Sequence, residues 1–226
     1  MDARPVHIRS SRQVAYPSWF WNPPLGMATA VGFSPVYHNS ELSIKEAVQD
    51  GIESLARMLS VRVIGERISI GSQQAEKFKK ETSIEIQEKV SENYKILATY
   101  ESTEMVIVLV GLTDVSLPES KLVSASQMTL PSWLSGSFTK KKKYGIGSCN
   151  RRFHQENGWK SSEQSALIDL ASNVEANIQQ LEKYSGAFSE KVTNTEINVQ
   201  LDEVRVFSRW KNPTTGSFHV LLYISE

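Results

Sequence analysis

Two histidines occupy matching places in the chain, His38 within Tyr37-His38-Asn39 and His154 within Phe153-His154-Gln155, each just ahead of a helix-like stretch. Imidazole is the side chain best suited to proton transfer near neutral pH and to ligating zinc or copper. A metal centre ordinarily needs further His, Asp or Glu ligands at defined spacing, and neither loop supplies them. Loop histidines with structural hydrogen bonds are therefore the favoured reading. A two-site ligand arrangement between facing halves of the chain stands as its alternative. Ser, His and Asp are all present, yet no nucleophile elbow or paired-carboxylate pattern organises them. Gly145-Ile146-Gly147 lacks the third glycine and the immediately following helix of a phosphate loop. The chain is accordingly expected to be non-enzymatic, with no catalytic residue, no metal and no cofactor.

Two other groups could recognise a partner. Lys140, Lys141, Lys142 and Lys143, followed by Tyr144 and then Arg151 and Arg152, form the one local concentration of charge. Such a run attracts anionic lipid headgroups, lipopolysaccharide or nucleic acid through direct attraction and counterion release, or is simply a solvated loop tip, which is the favoured reading. Trp19, Phe20, Trp21 and Trp133 could offer an aromatic binding edge, since large amphipathic rings carry much interface energy. Stapling each segment to its own core suits them better, and Pro23-Pro24 stiffens the segment in either case.

Composition narrows the partners further. Of 226 residues, 25 are Lys or Arg and 25 are Asp or Glu, so no global field recruits nucleic acid or an acidic membrane. No nucleic-acid partner is favoured. Cys149 is the single cysteine, which excludes an internal disulfide and a cysteine-based zinc site. No run of about 18 apolar residues suggests a membrane span, and the opening Met-Asp-Ala-Arg-Pro-Val-His lacks the apolar core of a secretory signal. A cytoplasmic location is expected if Met1 is native, and an envelope location if an export signal has been removed.

The elements that must position these residues occur twice. Tyr16-Pro17-Ser18-Trp19 recurs as Leu130-Pro131-Ser132-Trp133. A short apolar, glycine-containing strand follows in each copy, Ala28 to Phe33 and then Tyr144 to Gly147. Next comes an amphipathic helix, with apolar residues at Ile44, Ala47, Val48, Gly51, Ile52, Leu55, Met58 and Leu59 in one copy. Leu167, Leu170, Ala171, Val174, Ile178 and Leu181 form the stripe in the other. Ser43-x-x-Glu46 and Ser161-x-x-Gln164 read as their capping boxes. Alternation at Ile197, Val199 and Leu201 predicts a strand, and the change of parity before Val204, Val206 and Trp210 predicts a β-bulge at Asp202-Glu203. Ile84, Ile86, Val90, Tyr94, Ile96 and Tyr100 take the matching part in the first copy, although 73–89 is also rich in helix formers and is left open. Met105 to Val110 and Phe218 to Ile224 read as closing strands after polar turns, the first apolar on both faces and so central. The expectation is an α+β chain: a tail at 1–15, a module at 16–112, a linker at 113–129 and a second module at 130–226, each module an antiparallel sheet packed on one main helix.

Trp19-Phe20-Trp21-Asn22-Pro23-Pro24, Ala30-Val31-Gly32 and the helix end running from Leu55 through Arg57, Met58 and Val61 to Val63 carry a family resemblance. In these motifs the chain resembles the small bacterial outer-membrane lipoproteins typified by a Helicobacter surface antigen, a family that includes a flagellar-associated lipoprotein. The likeness covers Tyr16 to about Leu112 best and Leu130 to Glu226 more faintly, where Trp133 and Ile146-Gly147 match but no Asn-Pro-Pro follows. It implies an exported, non-catalytic α+β protein of the periplasm or outer membrane that assembles with itself or binds envelope proteins. A module that binds a small molecule or headgroup in a cleft between the two halves, lined by His38, His154 and aromatic residues, is the alternative, with Lys140 to Lys143 a further contact for anionic headgroups.

Overall fold

The computed structural model of the chain describes residues 6–9, 15–70, 73–113, 117, 120–135, 143–183 and 194–225. In chain order its first elements are β1 (Val6–Arg9), β2 (Ala15–Pro17), α1 (Ser18–Trp21), β3 (Thr29–Ser34), α2 (Ser40–Leu59), β4 (Ser60–Ile70), β5 (Gln73–Glu81) and α3 (Ile84–Asn93). There follow β6 (Lys95–Glu101), β7 (Val106–Gly111), β8 (Leu122–Ser124), β9 (Tyr144–Cys149), α4 (Gln155–Lys183), β10 (Asn194–Asp202), β11 (Val204–Lys211) and β12 (Phe218–Ile224), with 3-10 turns at Ala125–Gln127 and Ser132–Leu134. The fold is α+β. Lys140, Lys141 and Lys142 lie outside the described residues.

One sheet has the order β1-β6-β7-β3, antiparallel except that β1 runs parallel to β6. A second has the order β11-β12-β9, antiparallel throughout. Position for position, β6-β7-β3 and β11-β12-β9 share one connectivity, with the main helix of each half following its first strand. Every residue of β7 is buried, as its unbroken apolar sequence requires of a central strand. The strands that follow the two main helices pair with each other. β10 runs antiparallel to β4 from Asn194↔Ile68 to Asp202↔Ser60, and β5 completes this third sheet.

The same local device fastens helix to strand in both halves. A Cβ on Gly32 would overlap the Ala47 carbonyl oxygen and the Gly51 nitrogen, and one on Gly145 would overlap the Ala166 carbonyl oxygen and the Leu170 nitrogen. Glycine is thus what lets each strand lie directly on its helix. The outward-facing N–H of the next residue then donates to a helix carboxylate: Phe33 to Asp50 Oδ2 at 2.8 Å, Ile146 to Asp169 Oδ2 at 2.9 Å. Asn173 Nδ2 also donates to the Tyr144 carbonyl at 2.8 Å. These side chains satisfy strand-edge groups that would otherwise be unpaired.

Several boundaries differ from expectation. α2 begins at Ser40, capped by Asn39, whose Oδ1 accepts from Glu41 N at 3.0 Å, while Ser43 is buried inside the helix and accepts from Tyr37 N at 2.8 Å. α4 begins at Gln155, six residues before the expected Ser161. The open stretch resolves into β5 and then α3, whose Ser83 cap accepts from Ile86 N at 3.3 Å, so Ile84, Ile86 and Val90 are helical rather than strand residues. At Asp202-Glu203 there is a corner between sheets, with Glu203 at φ 55°, and the bulge falls instead between Val206 and Ser208.

Candidate functional site

The rings expected to form an aromatic edge are inside. Trp19, Phe20, Trp21 and Trp133 are all buried, which withdraws them as an exposed binding surface. Phe20 lies edge-on to Trp159 with centroids 5.2 Å apart, and Trp21 Nε1 donates to the Val123 carbonyl at 2.9 Å. Trp133 packs with Trp210 and Leu221 in a separate cluster. Trp133 thus packs within its own half, whereas Phe20 and Trp21 reach across to Trp159 of the other half rather than holding only to their own core.

The two histidines are not brought into a common site. His38 is exposed on the loop between β3 and α2. His154 is also exposed, with Nδ1 3.6 Å from Glu156 Oε1. Among the described residues no three His, Cys, Asp or Glu side chains converge as a metal centre would require. A cleft does lie between the halves, where α2 faces α4, but neither histidine lines it. The basic residues are divided too. Lys143 sits at one end of β9 and Arg151-Arg152 just beyond the other, with the six-residue strand, roughly 20 Å at ~3.3 Å per residue, between them.

The residues after β9 build a different site. Arg151, Arg152 and Phe153 line a groove of about 910 Å³ together with the β11–β12 turn and Ser124 to Ser126. The turn is closed by its own hydrogen bonds: Asn212 Oδ1 accepts from Thr214 N at 2.9 Å and Thr215 N at 3.1 Å, and Gly216 takes φ 74°. The Arg151 stem lies against Gly216. On the rim, Phe153 is 94 % exposed, although a phenyl ring gains by leaving water. Among the described residues no carboxylate is within ion-pair reach of Arg151 or Arg152.

The floor joins four segments of chain. Lys211 Nζ donates to Gln155 Oε1 at 2.9 Å, and Gln155 Nε2 donates to Glu104 Oε2. Buried Tyr16 Oη lies 2.9 Å from Gln155 Oε1 and 3.3 Å from Glu104 Oε2, able to donate to either. Burial, and then the Glu104 charge, hold the Tyr16 phenol well above its usual range, so it stays a neutral donor. Burial pushes the Lys211 ammonium down, against the attraction of Glu104. Glu104, the acid in the groove, is thereby committed to this network and leaves Arg151 and Arg152 without a counter-charge.

On another face, α3 carries the complementary pattern. Ile84 is 73 % exposed, and Glu85, Glu88 and Glu92, spaced to share one side of the helix, are exposed with no ion-pair partner among the described residues. Sequence reading singled out Arg151 and Arg152 only as company for the lysine run, and missed Glu104, Gln155, Lys211 and the α3 acids. The last were legible as three glutamates against one lysine, Lys89, on one helical face. No known protein supplies a further guide: no family model, no curated protein and no solved structure matches the chain.

Proposed function

We propose that the protein is a non-enzymatic assembly protein of the bacterial cell envelope, in which the groove at Arg151, Arg152 and Phe153 receives α3 of a second copy. The observation that carries this reading is the pairing of opposites among exposed features. Among the described residues Phe153 and Ile84 are the two most exposed large apolar side chains, at 94 % and 73 %; beside Phe153 stand two arginines, and beside Ile84 a helix face with three glutamates to one lysine, Lys89. Because groove and helix are different surfaces, the contact is head-to-tail, and repeating it gives a ring or a filament. The envelope location rests on the family resemblance. In support of a non-catalytic role, Asp50, Asp169 and Glu104 are all committed to holding backbone or neighbouring side chains.

The test uses two variants, R151Q/R152Q with a disabled groove and E85Q/E88Q with a disabled helix, each losing its charge without gaining the opposite one. Sedimentation of the native chain should show concentration-dependent oligomers that dissociate as salt rises. Each variant alone should be monomeric. An equimolar mixture of the two should then stop at a dimer, because one intact groove meets one intact helix and neither chain can extend. A native chain that stays monomeric at all concentrations, or variants that still polymerise, would overturn the proposal.

A further inference from the structure

The cleft between α2 and α4 holds two cations that make no ion pair among the described residues. Its volume is about 70 Å³, roughly twice the ~30 Å³ share of a water molecule, and Met58, Leu167 and Leu222 form its apolar floor. Three cations reach it from three elements: Arg57 on α2, Lys160 on α4 and Lys80 on β5. Both acids that line the cleft are engaged. Asp50 accepts from Phe33 N and pairs with Lys160 Nζ at 2.9 Å, and Glu163 pairs with Arg209 Nη2 at 2.6 Å. Glu53, which lines an adjoining cavity with Arg57 and Lys80, accepts from Gln49 Nε2 at 3.1 Å and makes no ion pair among the described residues. Arg57 has only a neutral partner, donating from Nη2 to Ser54 Oγ at 2.9 Å. Lys80 pairs opposite Val63 in the β4–β5 ladder, but its ammonium has no hydrogen bond or ion pair among the described residues.

Two like charges brought together in a partly dry cleft are unfavourable unless something negative joins them. Burial, and secondly the neighbouring Arg57, push the Lys80 ammonium below the ordinary lysine range. A chain with no use for the site could place a neutral side chain here at lower cost.

We infer that this cleft binds a phosphate group, with Arg57 and Lys80 as its direct ligands and Lys160 at its edge. The guanidinium fork and the ammonium together offer the several N–H donors that a tetrahedral oxyanion accepts. Since Arg57 and Lys80 belong to the first half and Lys160 to the second, a bound phosphate ties the halves together. The site shares no lining residue with the Arg151 groove, and α3 adjoins it through Gln87 and Ser91 rather than through its glutamates.

The experiment is a titration with inorganic phosphate, followed by calorimetry and by thermal unfolding against chloride at matched ionic strength, with vesicles containing phosphatidic acid as a second arm. Phosphate should bind saturably and raise the melting temperature, and K80M and R57Q should each weaken binding about tenfold. In chloride K80M should melt higher than the native chain, because a desolvated cation has gone, which separates lost binding from lost folding. Association with vesicles that K80M abolishes, without stabilisation by free phosphate, would support a lipid phosphate as the source. Absence of saturable binding in both arms, or binding unchanged in K80M and R57Q, would overturn the inference.

Discussion

His219 is held from both sides by hydroxyls, with Ser148 Oγ 2.8 Å from Nδ1 and Ser217 Oγ 2.9 Å from Nε2, and its ring lies 5.3 Å from that of Trp210. Burial pushes its protonation below the ordinary histidine range. The folded chain therefore takes up this proton at lower pH than the unfolded chain does. Stability from His219 is complete above about pH 6.5, the value for a free imidazole, and is lost as pH falls through and below it. Urea midpoints at pH 7.5 and pH 5 should differ by more in the native chain than in H219Q, which cannot titrate. An equal difference in both would show that His219 contributes nothing to the acid sensitivity. Nothing in sequence distinguishes this histidine from His38 or His154, because what matters is the strand pairing that sets it beside Ser148, 71 positions away.

Glycine and aspartate fix how each main helix meets its first strand. Replacing Gly32 or Gly145 by alanine puts a methyl group into the helix backbone, which cannot move aside without carrying its own hydrogen bonds with it. G32A and G145A should each cost about 3 kcal/mol or more in denaturant unfolding, at the upper end of overpacking penalties. G26A is the useful contrast, since a Cβ there meets nothing, although its φ of 80° carries local strain. Elements with long apolar stripes or clean alternation were legible in sequence. β3, α2, β7, α4, β10, β11 and β12 all fall where periodicity puts them. The starts of α2 and α4 were not, because Asn39 caps without a capping box and α4 begins with the polar turn of Gln155 and Glu156 before its stripe sets in. α3 was ambiguous because only Val90 of its residues is buried, too little for a clear period. The groove was read in part, since its arginines are a sequence feature, whereas Glu104, Gln155 and Lys211 meet only through tertiary folding.

At the scale of the whole chain, one apolar cluster runs from Tyr16 through Val108 to Trp159, Leu170 and Leu222, so residues of both halves share a core. Arg209 crosses the same boundary. It is 1 % exposed, donates from Nη1 to the Phe20 carbonyl at 2.8 Å, pairs with Glu163, and lies 5.0 Å from the Phe20 ring centroid. Burial raises the Glu163 carboxyl despite the opposing attraction of Arg209. Losing the arginine would strand that carboxyl. R209M should thus cost about 3–5 kcal/mol, and R209M/E163L should recover much of the loss by removing both charges. Tryptophan fluorescence and far-UV circular dichroism should report one coincident unfolding transition, and two separated transitions would contradict a shared core. The pairing of β4 with β10 bears on how the protein is made. Ser60 and Asp202 are 142 positions apart, so at ~5–20 residues per second the ribosome delivers β10 on the order of ten seconds after β4. Throughout that interval Val61 and Val63 belong to a hairpin with an open edge. The nascent chain thus has a fixed period in which holdase binding protects it and premature contact between neighbouring polysomal chains is most damaging.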